Sequence, residues 1–143
     1  MRTLTRVALI VLSVSFGIVG LWAQFAPRSF YDDFPGGGRH WVGGDGPFNE
    51  HLVRDVGGLN LALTVILVAA LVTMSPVIIR LAGLAALVYS LPHAAYHSAH
   101  LDIFDDGIDK IGLPISLWGA VVLAAVLLLG PMSGVKPDHL STT

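Results

Sequence analysis

Three histidines near the end of one apolar segment have the side chains and spacing best suited to chemistry. His93, His97 and His100 are separated by four and then three residues, so an α-helix with about 3.6 residues per turn places them on one stripe. Tyr89 and Tyr96 fall on the same stripe. Ionisable and polar side chains in an apolar helix are expected to face a bundle interior or a hydrated cavity rather than lipid. The stripe therefore predicts a polar site inside a helix bundle.

A second group of polar residues opens the preceding apolar segment. His51 and Asp55 are four residues apart and share a helix face, and Glu50 lies beside them. Ser75-Pro76 is a sharp turn between the two segments, which predicts an antiparallel hairpin with adjacent outer ends. The predicted metal site therefore has six candidate ligands: His51, His93, His97, His100, Asp55 and Glu50.

Imidazole and carboxylate ligands suit zinc, copper or iron, and histidines at i and i+4 can share one ion. A haem bound by His51 and a histidine of the other helix is a less favoured alternative. A third interpretation is a polar network that ties the outer end of the bundle together through hydrogen bonds. A fourth is lipid or quinone binding in a groove lined by Tyr89, Tyr96 and His93.

The charged residues divide the chain into four apolar segments. Only 13% of the 143 residues are charged, against about 25% in a typical soluble domain. Four stretches of 21, 24, 21 and 25 residues contain no charge at all, and a helix needs about 20 apolar residues to cross a bilayer. The fold predicted is therefore all-α, a single domain of four transmembrane helices over about 7–26, 50–75, 77–101 and 111–130. Asn49 is the predicted N-cap of the second helix.

The predicted connection between the first two spans, residues 27–49, is rich in aromatic residues and glycine. We expect it to fold over the outer end of the bundle. Arginine and lysine are evenly divided between the two sides, but Arg2 and Arg6 precede the first span without an acidic neighbour. Both termini, including the tail 131–143, are therefore predicted in the cytoplasm. The first span is predicted to remain as an uncleaved anchor.

Several function classes lack support in the composition. The chain has no cysteine and a net charge of −2, which removes thiolate metal sites and gives no basic footprint for nucleic acid. No serine lies in a Gly-x-Ser-x-Gly nucleophile motif. These features favour a non-catalytic accessory or structural component of a membrane complex, with the lipid bilayer, other membrane subunits or a second copy as partners. A metal-dependent membrane enzyme or metal-handling protein is the alternative.

Two stretches, FYDDFPGGGRHWV…GPFNEHLVRDVG and LPHAAYHSAHLD, resemble small four-helix membrane proteins of actinobacteria that are similar in layout to the DoxX-type group. The resemblance implies a four-helix fold in the cytoplasmic membrane. Because the DoxX-like group includes proteins linked to membrane redox complexes, it also implies a partner role. It assigns no catalytic residue.

Overall fold

The computed structural model describes residues 2–130, and helices dominate its architecture. The helices are α1 (Arg2–Phe25), the short α2 (Pro27–Asp33), α3 (Glu50–Thr73), α4 (Pro76–Ala99) and α5 (Gly107–Leu129). The four long helices, α1, α3, α4 and α5, are each long and apolar enough to cross a membrane. This confirms the four predicted apolar helices, and the predicted tail 131–143 lies outside the described residues.

Local sequence signals set the ends of the long helices. The side chain of Asn49 accepts a hydrogen bond from the backbone N–H of Leu52 at 3.2 Å, which confirms the predicted N-cap of α3. Met74 adopts a left-handed backbone conformation and ends this helix. Pro76, which lacks the N–H that a first helical turn leaves unpaired, then begins α4. Asp106 caps α5 by accepting from the N–H of Ile108 at 2.9 Å.

The four long helices form a ring in which α1 packs most extensively against α3, and α4 against α5. Glycines permit the closest approaches. A Cβ atom on Gly57 of α3 would lie 2.5 Å from the backbone nitrogen of Gln24 in α1. A Cβ on Gly83 of α4 would lie 2.7 Å from the backbone nitrogen of Leu128 in α5. The predicted hairpin of α3 and α4 is present, since these helices also contact each other. However, α3 packs more extensively against α1, and α4 packs more extensively against α5, than they pack against each other.

Apolar side chains cover the outside of the bundle as well as its core. The largest fully buried side chains include Leu9, Leu12 and Leu67. Val72 of α3 and Leu129 of α5 are each 77% exposed. A helix that is apolar on all its faces is typical of a membrane span.

Residues 27–49, which we call the cap, contain more regular structure than the predicted connection. Pro27 opens α2 at a position where proline is well tolerated. The strands β1 (Pro35–Gly36) and β2 (Arg39–His40) then pair antiparallel. Gly36 at the end of β1 and Gly37 and Gly38 in the turn have positive φ angles of 102°, 68° and 76°, which only glycine adopts readily. The glycines thus make a tight hairpin.

Candidate functional site

The cap is joined to α5 by one buried carboxylate. Asp109 lies in the first turn of α5, and its side chain is only 13% exposed. The indole N–H of Trp41 donates a hydrogen bond to Asp109 Oδ1 at 2.8 Å. The guanidinium of Arg39 donates to the same oxygen and lies 3.9 Å from Asp106 Oδ2. A buried charge is tolerated when it is paired and hydrogen-bonded. We call Arg39, Trp41 and Asp109 the cap anchor.

A second junction joins the cap to the C-terminal end of α4. His97 is 9% exposed, and its Nδ1 atom lies 3.7 Å from Asp45 Oδ2 in the cap. This distance is too long for a hydrogen bond. His97 Nδ1 is buried and has no hydrogen-bond partner, which is uncommon for a buried polar atom. The junction thus brings an imidazole and a carboxylate together without bonding them.

Aromatic and polar side chains continue from His97 into the bundle. The ring of His93 meets the ring of His97 edge-on, with 4.6 Å between centroids. The ring of Tyr89 stacks on His93 at 5.5 Å. Asn60 of α3, which is 1% exposed, donates from Nδ2 to the Tyr89 hydroxyl at 3.1 Å. We call Asn60, Tyr89, His93 and His97 the polar column.

The outer part of the predicted histidine stripe lies on the surface. Tyr96 is 50% exposed, and its ring stacks on that of His100 with 4.2 Å between centroids. His100 Nδ1 lies 2.8 Å from the carbonyl oxygen of Tyr96. The helix ends at Ala99, and His100 has non-helical backbone angles. Helical spacing therefore does not give the position of His100, because the helix ends one residue before it.

The candidate residues of α3 also lie on the surface. His51 Nε2 is 3.3 Å from Asp55 Oδ2, and these side chains are 85% and 61% exposed. Glu50 Oε1 instead accepts from Nε of Arg54 at 2.8 Å. The guanidinium of Arg54 also donates to the Gln24 carbonyl oxygen of α1. This end of α3 is thus held against α1.

The six candidate ligands are therefore distributed over separate local contacts. Within residues 2–130, no group of three or more histidine, aspartate or glutamate side chains is placed to hold a metal ion. The predicted metal site stays a prediction. The contacts of Glu50 with Arg54, of His51 with Asp55 and of His100 with the Tyr96 carbonyl favour the polar-network interpretation.

Side-chain contacts within the cap hold its own fold. The Tyr31 hydroxyl donates to the carbonyl oxygens of Gly43, at 3.3 Å, and Gly46. The Arg28 guanidinium lies over the Phe48 ring, 5.1 Å from its centroid. A hydrogen bond to Asp32 raises the pKa of the exposed Arg28 side chain above its ordinary value. These contacts link the beginning of the cap to its end.

A cleft of about 400 Å³ opens where the cap meets the α4–α5 connection. Arg39 and His40 line one part of it, and Asp105 and Asp106 line another. Its lining also includes Gly43 and Gly44, which directly precede Asp45 in the chain. The lining of the cleft thus combines a basic side chain with acidic ones.

Sequence reasoning did not single out Asp109, Trp41, Arg39 or Asp45 as site residues. The fourth predicted span begins at about residue 111, so Asp109 falls just outside it. A usable signal was the helical spacing from Asp109 to Leu113, since both are buried in the structure and residues four apart share a helix face. Extending the apolar face of α5 back by one turn would have selected Asp109.

Comparison with known proteins adds no relative: no family model matches the chain, and no curated protein or solved structure is significantly similar to it.

Proposed function

We propose that this chain is a multi-pass protein of the bacterial cytoplasmic membrane and serves as a non-catalytic accessory component of a membrane complex. The cap is its partner-facing surface on the outer side. The observation that carries the proposal is the attachment of one folded polar cap to the outer ends of several apolar helices.

Membrane insertion is supported by the distribution of apolar surface. Each of α1, α3, α4 and α5 has 23 or 24 residues, and at about 1.5 Å per residue each is long enough for a hydrocarbon core of about 30 Å. Strongly exposed valines and leucines lie on the outside of these helices. Contact of such an apolar surface with lipid is favourable, whereas its exposure to water is not.

Orientation is supported by the residues at the two ends of the bundle. Arg2 and Arg6 begin α1, and no acidic residue accompanies them. The cap and the α4–α5 connection lie at the opposite end and contain most of the acidic residues. Basic residues before a first span favour the cytoplasmic side, which supports a position of the cap outside the cell.

A non-catalytic role is supported by the contacts of the polar groups near the cap. Asp109 accepts from two cap side chains, and Asn60 donates to Tyr89. The indole N–H of Trp118 donates to Ser98 Oγ at 3.0 Å, and that hydroxyl donates to the Ala94 carbonyl oxygen at 2.7 Å. The contacts of Asp109 fix the cap to α5, and the other two join α3 to α4 and α5 to α4. A rigid polar surface preorganised in this way suits docking to another protein, in agreement with the partner role implied by the DoxX-like resemblance.

Membrane insertion is tested by washing membranes of expressing cells with alkaline carbonate. We expect the chain to stay in the membrane pellet and to be released only by detergent. Release by carbonate alone would refute insertion.

The accessory role is tested separately in the native host. After mild detergent extraction, we expect the chain to migrate on a native gel with other membrane proteins, and deletion of its gene to lower the amount of that complex. Asp109→Asn, which loosens the cap, is expected to weaken the complex, whereas Gly119→Ala, at an open position, is its control. Migration alone or as a homo-oligomer, with all other membrane complexes unchanged by the deletion, would refute the role.

A further inference from the structure

Three arginines lie at the end of the bundle opposite the cap, and we call them the basic end. Arg2 and Arg6 belong to the first two turns of α1, and Arg80 belongs to the second turn of α4. Nine of the ten acidic residues of the chain lie in the cap or at the cap end of the helices. The tenth, Asp138, lies outside the described residues. Within residues 2–130, the basic end therefore has three positive charges and no carboxylate.

The arginines at the cap end are satisfied in a different way. Each of them is paired with an acidic side chain: Arg28 with Asp32, Arg39 with Asp109 and Arg54 with Glu50. A guanidinium keeps its charge in proteins, and a charged side chain beside the hydrocarbon core needs a partner of opposite sign. Since residues 2–130 supply no such partner at the basic end, an anion from outside these residues fits there.

Arg80 lies on the lipid-facing side of α4. Its side chain is exposed, and Val77 and Leu84, three residues before it and four after it, share its helix face. These two apolar side chains are 74% and 47% exposed, so the face they form points away from the bundle. In a membrane-inserted chain, Arg80 is therefore a charge on a surface that contacts lipid.

The depth of Arg80 suits contact with lipid headgroups. Arg80 comes four residues after Pro76, where α4 begins, which is about 6 Å along the helix axis. From such a position an arginine lays its aliphatic stem along the apolar surface and extends its guanidinium to the membrane–water interface. The phosphates of the lipids lie at this interface, and a guanidinium binds a phosphate through two parallel hydrogen bonds.

We propose that Arg80 binds the phosphate of an anionic phospholipid at the membrane surface opposite the cap, and that Arg2 and Arg6 add to the attraction. The preference for anionic lipid follows from charge. A zwitterionic lipid presents the same phosphate together with a cationic group, which the three arginines repel. This site presupposes membrane insertion, which belongs to the proposed function, but neither the accessory role nor the orientation of the chain.

The test uses the chain in nanodiscs made from equal parts of phosphatidylglycerol and phosphatidylcholine. These two lipids share a phosphate and differ in net charge. After release with a mild detergent, native mass spectrometry counts the lipids of each kind that stay bound to the chain. The variants are Arg80→Gln, which removes the charge, and Arg80→Lys, which keeps the charge without the planar fork. Arg28→Gln, at an exposed arginine of the cap, is the matched control.

We expect phosphatidylglycerol to be enriched over phosphatidylcholine on the parent chain. Arg80→Gln should lower this enrichment about fivefold, because one basic side chain at an anionic surface contributes about 1 kcal/mol. Arg80→Lys should keep part of the enrichment, since lysine binds phosphate as a point charge. Arg28→Gln should keep all of it, because Arg28 lies at the cap end and is paired with Asp32.

Equal amounts of the two lipids on the parent chain would overturn the proposal and indicate an acidic protein as the partner of the basic end. Parent-like enrichment in Arg80→Gln would also overturn it, and is the result expected if a carboxylate of residues 131–143 holds Arg80. So would an equal loss in Arg28→Gln, because net charge alone would then attract the lipid. A chain that does not enter nanodiscs would refute membrane insertion as well, whereas an inserted chain without enrichment would refute the lipid site alone.

Discussion

The close approach of α1 and α3 makes a sharp prediction for two neighbouring glycines. Gly57 faces α1, where a Cβ atom would lie 2.5 Å from the Gln24 nitrogen, 2.9 Å from the Gln24 Cα and 3.0 Å from the Ala23 carbonyl carbon. All three atoms belong to backbone and cannot rotate away. Gly58 points elsewhere, and its Cβ would meet only the Gln24 Oε1 atom, at 3.8 Å.

The magnitude follows from this geometry. Gly57→Ala must push two helices apart or distort one of them, and overpacking of this kind costs about 1–3 kcal/mol. Gly58→Ala finds ordinary space and gains up to about 1 kcal/mol of helix propensity. The gain in helix propensity is common to both variants and cancels, so their free energies of unfolding should differ by about 1–3 kcal/mol, although each adds only one methyl group.

The assay is unfolding of the detergent-solubilised protein by a denaturing detergent, followed by circular dichroism. Gly57→Ala should unfold at a lower denaturant fraction than the parent, and Gly58→Ala at the same or a higher one. Equal stability of the two variants would show that α1 and α3 are not in backbone contact at Gly57, and the described helix pairing would be wrong.

Three further predictions concern the cap and the polar column. Trp41→Phe removes one donor to Asp109 and should lower the free energy of unfolding by about 1 kcal/mol. Asp109→Asn also removes the charge and should lower this free energy further, as measured by chemical denaturation. A larger loss for Trp41→Phe than for Asp109→Asn would contradict the role of Asp109 as the centre of the cap anchor. Tyr89→Phe should lower the free energy of unfolding by only about 0.6 kcal/mol in the same assay, because Asn60 Nδ2 still donates to the Val56 carbonyl oxygen. A loss of stability several times larger would indicate an additional role for the Tyr89 hydroxyl. Elemental analysis of untagged protein should find no stoichiometric metal if the histidines form a polar network, whereas about one transition-metal ion per chain, lost in His97→Ala, would favour the metal site.

The helices were predictable because their signals are local. Charge-free stretches of at least 21 residues marked all four long helices, and Asn49 marked the start of α3 through its capping hydrogen bond. Helical spacing also placed Tyr89, His93 and His97 on one stripe, and the structure has these three rings in contact. Each of these features depends on residues within a few turns of one another.

The junctions were not predictable because they depend on partners far apart in sequence. Trp41 and Asp109 are 68 residues apart, and no spacing rule relates an indole in a glycine-rich cap to the first turn of the last helix. The surface position of His51 has a similar cause. The contact of Gly57 with α1 fixes the rotation of α3, and His51 then lies on an exposed face.

Determining the membrane topology of the four long helices tests most directly whether the chain spans the membrane with the cap outside. Because the chain has no cysteine, single cysteines at Thr3, Thr73, Asp102 and Asp105 can each be probed with a membrane-impermeant maleimide on intact cells. Asp102→Cys and Asp105→Cys should react at once, whereas Thr3→Cys and Thr73→Cys should react only after the membrane is permeabilised. Equal labelling of all four positions in intact cells would contradict a membrane-spanning bundle, and the reverse pattern would place the cap in the cytoplasm.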